Sequence, residues 1–454
     1  MKKIAQDLRW GSKWGFILAA TSSAIGLANI WRFPFLVGQY GGGAFLFVYF
    51  CCLAFAGLPL FMLETLIGRE SARSPAEAMY EISRKKSWKI AGFILVTTAF
   101  LVSSYYAVIA GWLMGYWAAA MEGGLSFLQS PQLAHEHFEN SISSFSFSYI
   151  WPQCFLLLSG FVVMAGVRSG LERASKSLMP ILFILLVSLV IWATYGSDIK
   201  PIVSAMFYPD WSRLTPTAVL AALGHSFFTL SLGQGTLIVY GSYLKRNESI
   251  VPLALPVVLA DTVISLLATA LVFAVCLQTG VQLDTGPGLV FETMPVLFNR
   301  FALGSVVSVV FFSVLFLATL TSEMSAIEPV VAWLAPRFGR KKALVYILAA
   351  LLVVMIPAAI SYRGVSLGWW DKPEMIWYYD ALCTRFLIPF GGLLSILFAL
   401  KSWGIPIVMR AFSRTDLHEN FSSKVVKAYF EFCVKWAAPL LITVIFLQSI
   451  LGRG

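Results

Sequence analysis

Two otherwise apolar stretches are broken by glycine and small polar residues, and these breaks are where the chain could do chemistry. The first reads Thr21-Ser22-Ser23-Ala24-Ile25-Gly26-Leu27-Ala28-Asn29, then Ile30-Trp31-Arg32-Phe33-Pro34. The second reads Phe227-Phe228-Thr229-Leu230-Ser231-Leu232-Gly233-Gln234-Gly235. An unwound turn inside an apolar helix frees backbone carbonyls, which without water must find a cation or a donor. The half-helix beyond the break presents free N–H groups and a positive dipole end, which suit a carboxylate. Such a turn can hold a cation and an anion side by side. Residue by residue, two kinked structural helices packed closely at glycine would read the same, since glycine is common in membrane helices. Position favours a ligand site: the breaks lie five apolar spans apart and open two halves of five.

The elements that must position these residues are membrane spans. The chain has 454 residues, 58% hydrophobic and only 12% charged, where a soluble protein carries roughly 25% charged residues. Eleven apolar blocks approach the length of about 20 residues that crosses a bilayer: 14–34, 43–68, 90–118, 150–166, 177–195, 217–241, 251–277, 301–333, 343–360, 376–400 and 431–451. The net charge of +10 reports topology rather than a nucleic-acid partner. With the N-terminus inside, the inward segments hold 25 of the 33 Lys and Arg, the outward segments hold six, and Arg32 and Arg385 lie within spans. That bias sets the N-terminus in and the C-terminus out. The six cysteines show neither metal-ligand spacing nor a disulfide framework. The first apolar run carries Asn29 and Arg32 and does not read as a cleavable signal. The expected class is all-α and integral to the membrane, a single transporter domain over 1–454. Its first repeat is expected over about 12–195, its second over about 215–400, and an additional helix over about 431–451.

At these residues the sequence resembles the neurotransmitter:sodium symporter family. Gly-Leu-Ala-Asn-Ile-Trp-Arg-Phe-Pro at 26–34, followed by Gly41-Gly42-Gly43-Ala44-Phe45, carries most of the likeness. Phe-Phe-Thr-Leu-Ser-Leu-Gly at 227–233, Gly286-Pro287-Gly288-Leu289-Val290-Phe291, Leu320-Thr321-Ser322 and Gly170-Leu171-Glu172-Arg173-Ala174-Ser175-Lys176 add to it. The resemblance implies a LeuT-type 5+5 inverted repeat with unwound first and sixth helices, alternating access, and sodium-driven uptake with no organic cofactor. Eleven helices with short loops resemble the prokaryotic branch, which implies the cell inner membrane.

Carried over position by position, one sodium would meet the Ala24 carbonyl, Asn29, Thr229, Asp261 and the substrate's own carboxylate. A second would sit among the carbonyls of Ser22, Ile25 and Ala318 and the hydroxyls of Thr321 and Ser322. Taken alone, Asn29 could be a helix–helix hydrogen bond, and Thr321 and Ser322 could bond back to the preceding turn. The substrate carboxylate would meet the Leu27 and Ala28 N–H groups and the Tyr106 hydroxyl. Its amine would meet the carbonyls of Ala24, Phe228 and Thr229. Glycine at 26, where monoamine carriers of the family have an aspartate, points to an amino acid. Arg32 and Asp380 match an outer gate, with Phe228 and Tyr106 as the lid beneath them. Glu64 resembles the carboxylate that accepts hydrogen bonds from the unwound sixth helix.

The chain also departs from the family pattern. Asp261 stands where chloride-dependent members have asparagine, among Ser265, Tyr49 and His225, and a fixed carboxylate there predicts chloride independence. Asp261 as a purely structural polar residue is the other reading. His225 could couple a proton or serve as a plain hydrogen-bonding residue. The side-chain pocket would be lined by Val102, Tyr106, Phe228, Ser231, Gln234, Ser322 and Ala326. Gln234, and Glu323 three residues before Ala326, either face the substrate or bond to neighbouring helices. At the inner gate Asp7 is expected to pair with Arg337 or Arg340.

A primary pump is excluded by the lack of a phosphate-binding loop or a soluble domain to hold one, and no His/Asp/Glu constellation suggests an enzyme. A substrate-binding sensor or a channel-like protein on the same fold, without concentrative transport, stays open. The implied partners are a small amino acid, sodium and the lipid bilayer. Oligomeric state is not legible.

Overall fold

A computed structural model of the chain describes residues 8–279, 288–301, 303–361, 375–416 and 421–451. Helices account for its regular structure, and the one β contact among the described residues is an isolated bridge between Gly42 and Pro209. The reason is the bilayer: a helix satisfies its backbone hydrogen bonds within itself.

The first span is two pieces, α1 (Lys13–Ala24) and α2 (Ala28–Gln39), bent by 57° at the break. Long apolar helices follow: α3 (Gly43–Ser71), α4 (Trp88–Met121), α5 (Ser146–Met164) and α6 (Val167–Thr194). The sixth expected span is again two pieces, α7 (Pro216–Thr229) and α8 (Thr236–Ser242). Then come α9 (Val251–Thr279), α10 (Gly304–Phe338), α11 (Arg340–Val354), α12 (Met375–Trp403) and α13 (Lys424–Gln448). Among the described residues eight helices are long and apolar enough to cross a membrane, or nine with the bent pair as one. The expectation of eleven spans thus differs at the sixth and ninth, where α7/α8 and α11 are each too short to count alone.

Helix α1 starts where it does because Ser12 caps it, accepting from the Gly15 N–H at 2.9 Å. Glu172, three-hundredths exposed at the start of the helix after α5, fixes this end in space. It accepts from the Gly11 N–H at 2.6 Å and the Ser12 hydroxyl at 3.2 Å, and pairs with Lys176 at 2.5 Å. A Cβ at Gly15 would lie 2.2 Å from that carboxylate, so only glycine permits the approach. Further along α1, the hydroxyls of Ser22 and Ser175 meet at 2.9 Å. Helices α4 and α10 form the most extensive helix–helix contact, and α1 and α8 pack against α10. Both breaks therefore face one interior.

Candidate functional site

The first break is a short extended turn. Ile25 takes φ −78°, ψ 110° and returns its N–H to the Thr21 carbonyl at 2.9 Å. Gly26 donates to Asn29 Oδ1 at 2.9 Å, which closes the turn locally. The second break, Leu230 to Gly235, needs left-handed backbone at Ser231 (φ 54°), Gly233 (φ 69°) and Gly235 (φ 79°). Glycine takes that conformation freely, whereas for serine it is a strained choice. Ser231 is held there by its own hydroxyl, which donates to the Ser23 carbonyl at 3.0 Å and accepts from the Ser23 hydroxyl at 3.1 Å. The Gly233 N–H is satisfied by Glu64 Oε1 at 3.1 Å, and the same oxygen accepts from Ser395 at 3.0 Å.

A small cavity of about 40 Å³ lies between the breaks. Ala24, Leu27, Ala28, Val102, Tyr106, Phe228, Thr229, Ser231, Gln234, Ser322 and Ala326 line it, joined by Ser23, Gly26 and Asn29. At its mouth the Leu27 N–H points to the Tyr106 hydroxyl at 3.4 Å, at the N-terminal end of α2. A Cβ on Gly26 would stand 3.0 Å from Ser322 Oγ and 3.1 Å from the Tyr106 oxygen. The chain reserves this spot for something other than its own side chain.

One wall is a fully buried polar cluster. Asn29 Nδ2 donates to Asp261 Oδ1 at 2.7 Å, Thr229 Oγ1 at 2.9 Å and Ser265 Oγ at 2.9 Å, and Thr229 donates to the same Asp261 oxygen at 2.7 Å. Asp261 Oδ2 and the nearby Tyr49 hydroxyl make no hydrogen bond of good geometry among the described residues, and the two groups face each other. A buried carboxylate beside the hydroxyls of Thr229 and Ser265, with an amide that can turn its oxygen towards an ion, is a donor set that an alkali cation fits. Across the cavity, the Ser322 hydroxyl bridges to the Ile25 carbonyl at 2.9 Å. Thr321 bonds back to the Leu317 and Ala318 carbonyls at 3.0 and 3.1 Å, while Ser22 donates to Ala19 at 2.9 Å. The oxygens named for the second sodium thus come from α1, the break that follows it and α10, and α1 and α10 pack together.

His225 does not make the hydrogen bond that the plain reading of it asks for. Neither ring nitrogen has a partner among the described residues; the ring stacks on Phe33 at 5.0 Å and lies 5.7 Å from Tyr49. Glu323 does not line the cavity. It sits behind the wall, fully buried, where Oε1 accepts from Ser103, and Oε2 is unpartnered among the described residues.

Above the cavity, on the side opposite the N-terminus, a vestibule of about 660 Å³ shares Leu27, Ala28, Tyr106 and Phe228 with it. Arg32 and Asp380 both line the vestibule, but no direct ion pair joins them among the described residues. Asp380 instead accepts from the Tyr105 hydroxyl at 3.1 Å.

The N-terminal side is sealed. Trp10 donates to the Tyr240 carbonyl at 2.9 Å and packs edge-on against Phe16, Tyr240 and Tyr243. Asp7 lies outside the described residues. Arg337 stacks over Trp333 at 5.7 Å, and Arg340 is held by Glu328, which also accepts from Tyr243. Sequence reasoning missed Glu328, Glu172 and Ser103. A buried acid in a span is itself a signal, but the sequence does not say which cation or hydroxyl meets it.

A broken first span, a second helix break between α7 and α8, and one cavity lined by both are the arrangement of a membrane transporter. The Sodium:neurotransmitter symporter family pattern matches the chain over residues 8–144 and 135–453. The chain is 32% identical over 455 residues to the uncharacterized sodium-dependent transporter YhdH of Bacillus subtilis (strain 168), covering 98% of each. It is also 32% identical over 418 residues to the uncharacterized sodium-dependent transporter MJ1319 of Methanocaldococcus jannaschii, covering 87% of this chain and 82% of the relative. The structure of MhsT in complex with L-phenylalanine superposes with a TM-score of 0.87 at 33% identity, over 97% of this chain and 99% of that one. The chain belongs to the sodium:neurotransmitter symporter family; it is a multi-span membrane protein and a transporter rather than an enzyme.

Proposed function

We propose that the protein is a sodium-coupled symporter that imports an amino acid across the cell inner membrane by alternating access, with its N-terminus cytoplasmic and without need of chloride. The observation that carries the reading is the cavity at the first break, where the α2 N-terminus and the Tyr106 hydroxyl converge beside the Asn29–Thr229–Asp261 cluster. The dipole end and the hydroxyl suit an α-carboxylate. Gly26 leaves that carboxylate its room, and the Ala24 carbonyl beside it suits the amine.

Sodium enters as co-substrate. One ion would use the Ala24 carbonyl, Asn29, Thr229, Asp261 and the bound carboxylate. The other would use the carbonyls of Ser22, Ile25 and Ala318 with Thr321 and Ser322. The first site thus links ion and substrate through a shared carboxylate, which makes each bind better in the presence of the other. Asp261 supplies a fixed negative charge, so an external anion adds nothing required. The similarity to a transporter solved with L-phenylalanine supports the amino-acid reading. In the same reading α7/α8 and α11 are also spans, giving eleven in all, and 12–195 and 215–400 are the two inverted repeats. The open vestibule and sealed N-terminal side would be the outward-facing state, with Arg32 and Asp380 closing over the substrate, and Asp7 and Arg337 acting at the inner gate.

Reconstituted proteoliposomes test this directly. With an inward sodium gradient, a labelled amino acid should accumulate above equilibrium, fall to equilibrium with a sodium ionophore, and be unchanged when gluconate replaces chloride. Binding without accumulation would assign a sensor, and flux without concentration a channel.

A further inference from the structure

Gln234 stands apart from every other polar side chain that lines the cavity. Ser23, Asn29, Thr229, Ser231 and Ser322 each donate a hydrogen bond within the protein, and Tyr106 accepts one from Leu27. Gln234 is 7% exposed, and its Oε1 has no partner among the described residues. A buried amide oxygen left unpaired costs free energy, and most proteins pair such groups.

This orphan cannot easily swing away to find a partner. Gly233 and Gly235 flank it, both in left-handed backbone. A Cβ at Gly233 would fall 2.0 Å from the Ile388 carbonyl, and one at Gly235 would fall 2.9 Å from Pro75. The Glu64 carboxylate pins the Gly233 N–H. Gly233 is therefore wedged against α12 and Gly235 against the segment joining α3 to α4, and the Gln234 Cα–Cβ direction is fixed. The side chain leaves a rigid backbone and lines the cavity, as a recognition group has to. Glu323, the other polar residue near this wall, is engaged by Ser103 and stays outside the cavity.

We propose that Gln234 sets the side-chain specificity of the transporter, and that its substrate is a neutral amino acid whose side chain ends in a hydroxyl or carboxamide. This rests on the amino-acid symport reading above and deepens it. An amide can turn end for end, so the ligand group that suits it both donates and accepts. Hydroxyls and carboxamides do so; aliphatic and thioether groups do not. A charged side chain would enter with no counter-ion, because neither Glu323 nor Asp261 lines the cavity.

Isosteric pairs test the idea on the wild-type protein: threonine against valine, asparagine against leucine, glutamine against methionine, tyrosine against phenylalanine. Each pair is compared as competitors of sodium-dependent uptake in proteoliposomes. In at least one pair the polar member should compete better by about tenfold or more, the discrimination a site gains by leaving its own polar group unpaired against the wrong ligand. In Gln234→Met, which keeps length and apolar volume, that ratio should fall to about one. A wild-type ratio below about tenfold in every pair overturns the proposal, as does a ratio that survives Gln234→Met. Should Gln234→Met fail to fold, Gln234→Asn retracts the amide by one methylene and should lower the same ratio; an unchanged ratio again overturns the idea. If no amino acid is taken up with sodium, the symport reading itself fails and this inference falls with it, an outcome distinct from uptake with an aliphatic profile.

Discussion

Arg340 and Glu328 give the sharpest test of how the N-terminal side is held shut. Arg340 donates to both Glu328 oxygens, at 2.8 and 2.6 Å, and its Nε and Nη2 reach the Val163 carbonyl at 3.2 and 2.8 Å. Tyr243 adds a bond to Glu328 at 2.6 Å. The Glu328 side chain is fully buried and that of Arg340 is 16% exposed. This single knot ties the ends of α10, α5 and α8 together. Arg340→Ala would leave Glu328 buried without its cation, which costs about 3–5 kcal/mol. Arg340→Met with Glu328→Gln removes both charges and should recover much of that loss, so the double-mutant cycle should show coupling of about 2–3 kcal/mol. Thermal unfolding in detergent reads the stability. Hydrogen exchange over 8–24 and 236–243 reads the seal, and both segments should lose protection in Arg340→Ala. Additive single effects, or unchanged exchange in those segments, would refute the reasoning.

Other perturbations follow from the same geometry. Gly26→Asp places a carboxylate against Tyr106 and Ser322, whose oxygens lie within 3.1 Å of the added Cβ; amino-acid binding should fall while sodium alone still stabilises the protein in a thermal shift assay. Asp261→Asn removes a charge worth about 4 kcal/mol at about 4 Å from a cation at intermediate dielectric; allowing for relaxation, the sodium concentration for half-maximal uptake should rise at least about tenfold, and an unchanged value would remove Asp261 from the ion site. Thr321→Val with Ser322→Ala should lower the Hill coefficient for sodium from about 2 towards 1. Glu64→Leu strands the Gly233 N–H and the Ser395 hydroxyl, about 1–3 kcal/mol for each unpaired group, and should show as a lower unfolding temperature.

How much of this was legible beforehand depends on distance along the chain. The breaks were legible because glycine and small polar residues inside apolar blocks are a local signal. Every residue named for the side-chain pocket lines one cavity: Phe228, Ser231 and Ser322 lie within the motifs at 227–233 and 320–322, and Gln234 and Ala326 follow them closely in sequence, while Val102 and Tyr106 come from α4. The Glu328–Arg340 pair and the Ser103–Glu323 bond were not legible. Glu323 lies 220 residues from Ser103, and only helix crossing geometry brings them together. Arg340 is just 12 residues from Glu328, yet its pairing with that acid is framed by Tyr243 and the Val163 carbonyl, which arrive from other helices. His225 failed differently: its residue type promises hydrogen bonds, but its position between Phe33 and Tyr49 gives it rings instead.

The two breaks are not equivalent, and the difference bears on what each can do. The first is closed by soft means: a side-chain bond from Asn29, a hydroxyl from Ser322, a long contact to Tyr106. Groups held that way can exchange protein partners for an ion or a carboxylate at little cost, which suits the part of the site that must fill and empty. The second is closed by hard means, with left-handed glycines jammed against Ile388 and Pro75 and a strained serine between. Backbone wedged in that way does not adjust to its ligand, so a ligand must match it. Ion and backbone recognition then belong to the yielding turn, and selection among side chains to the rigid one, where Gln234 stands.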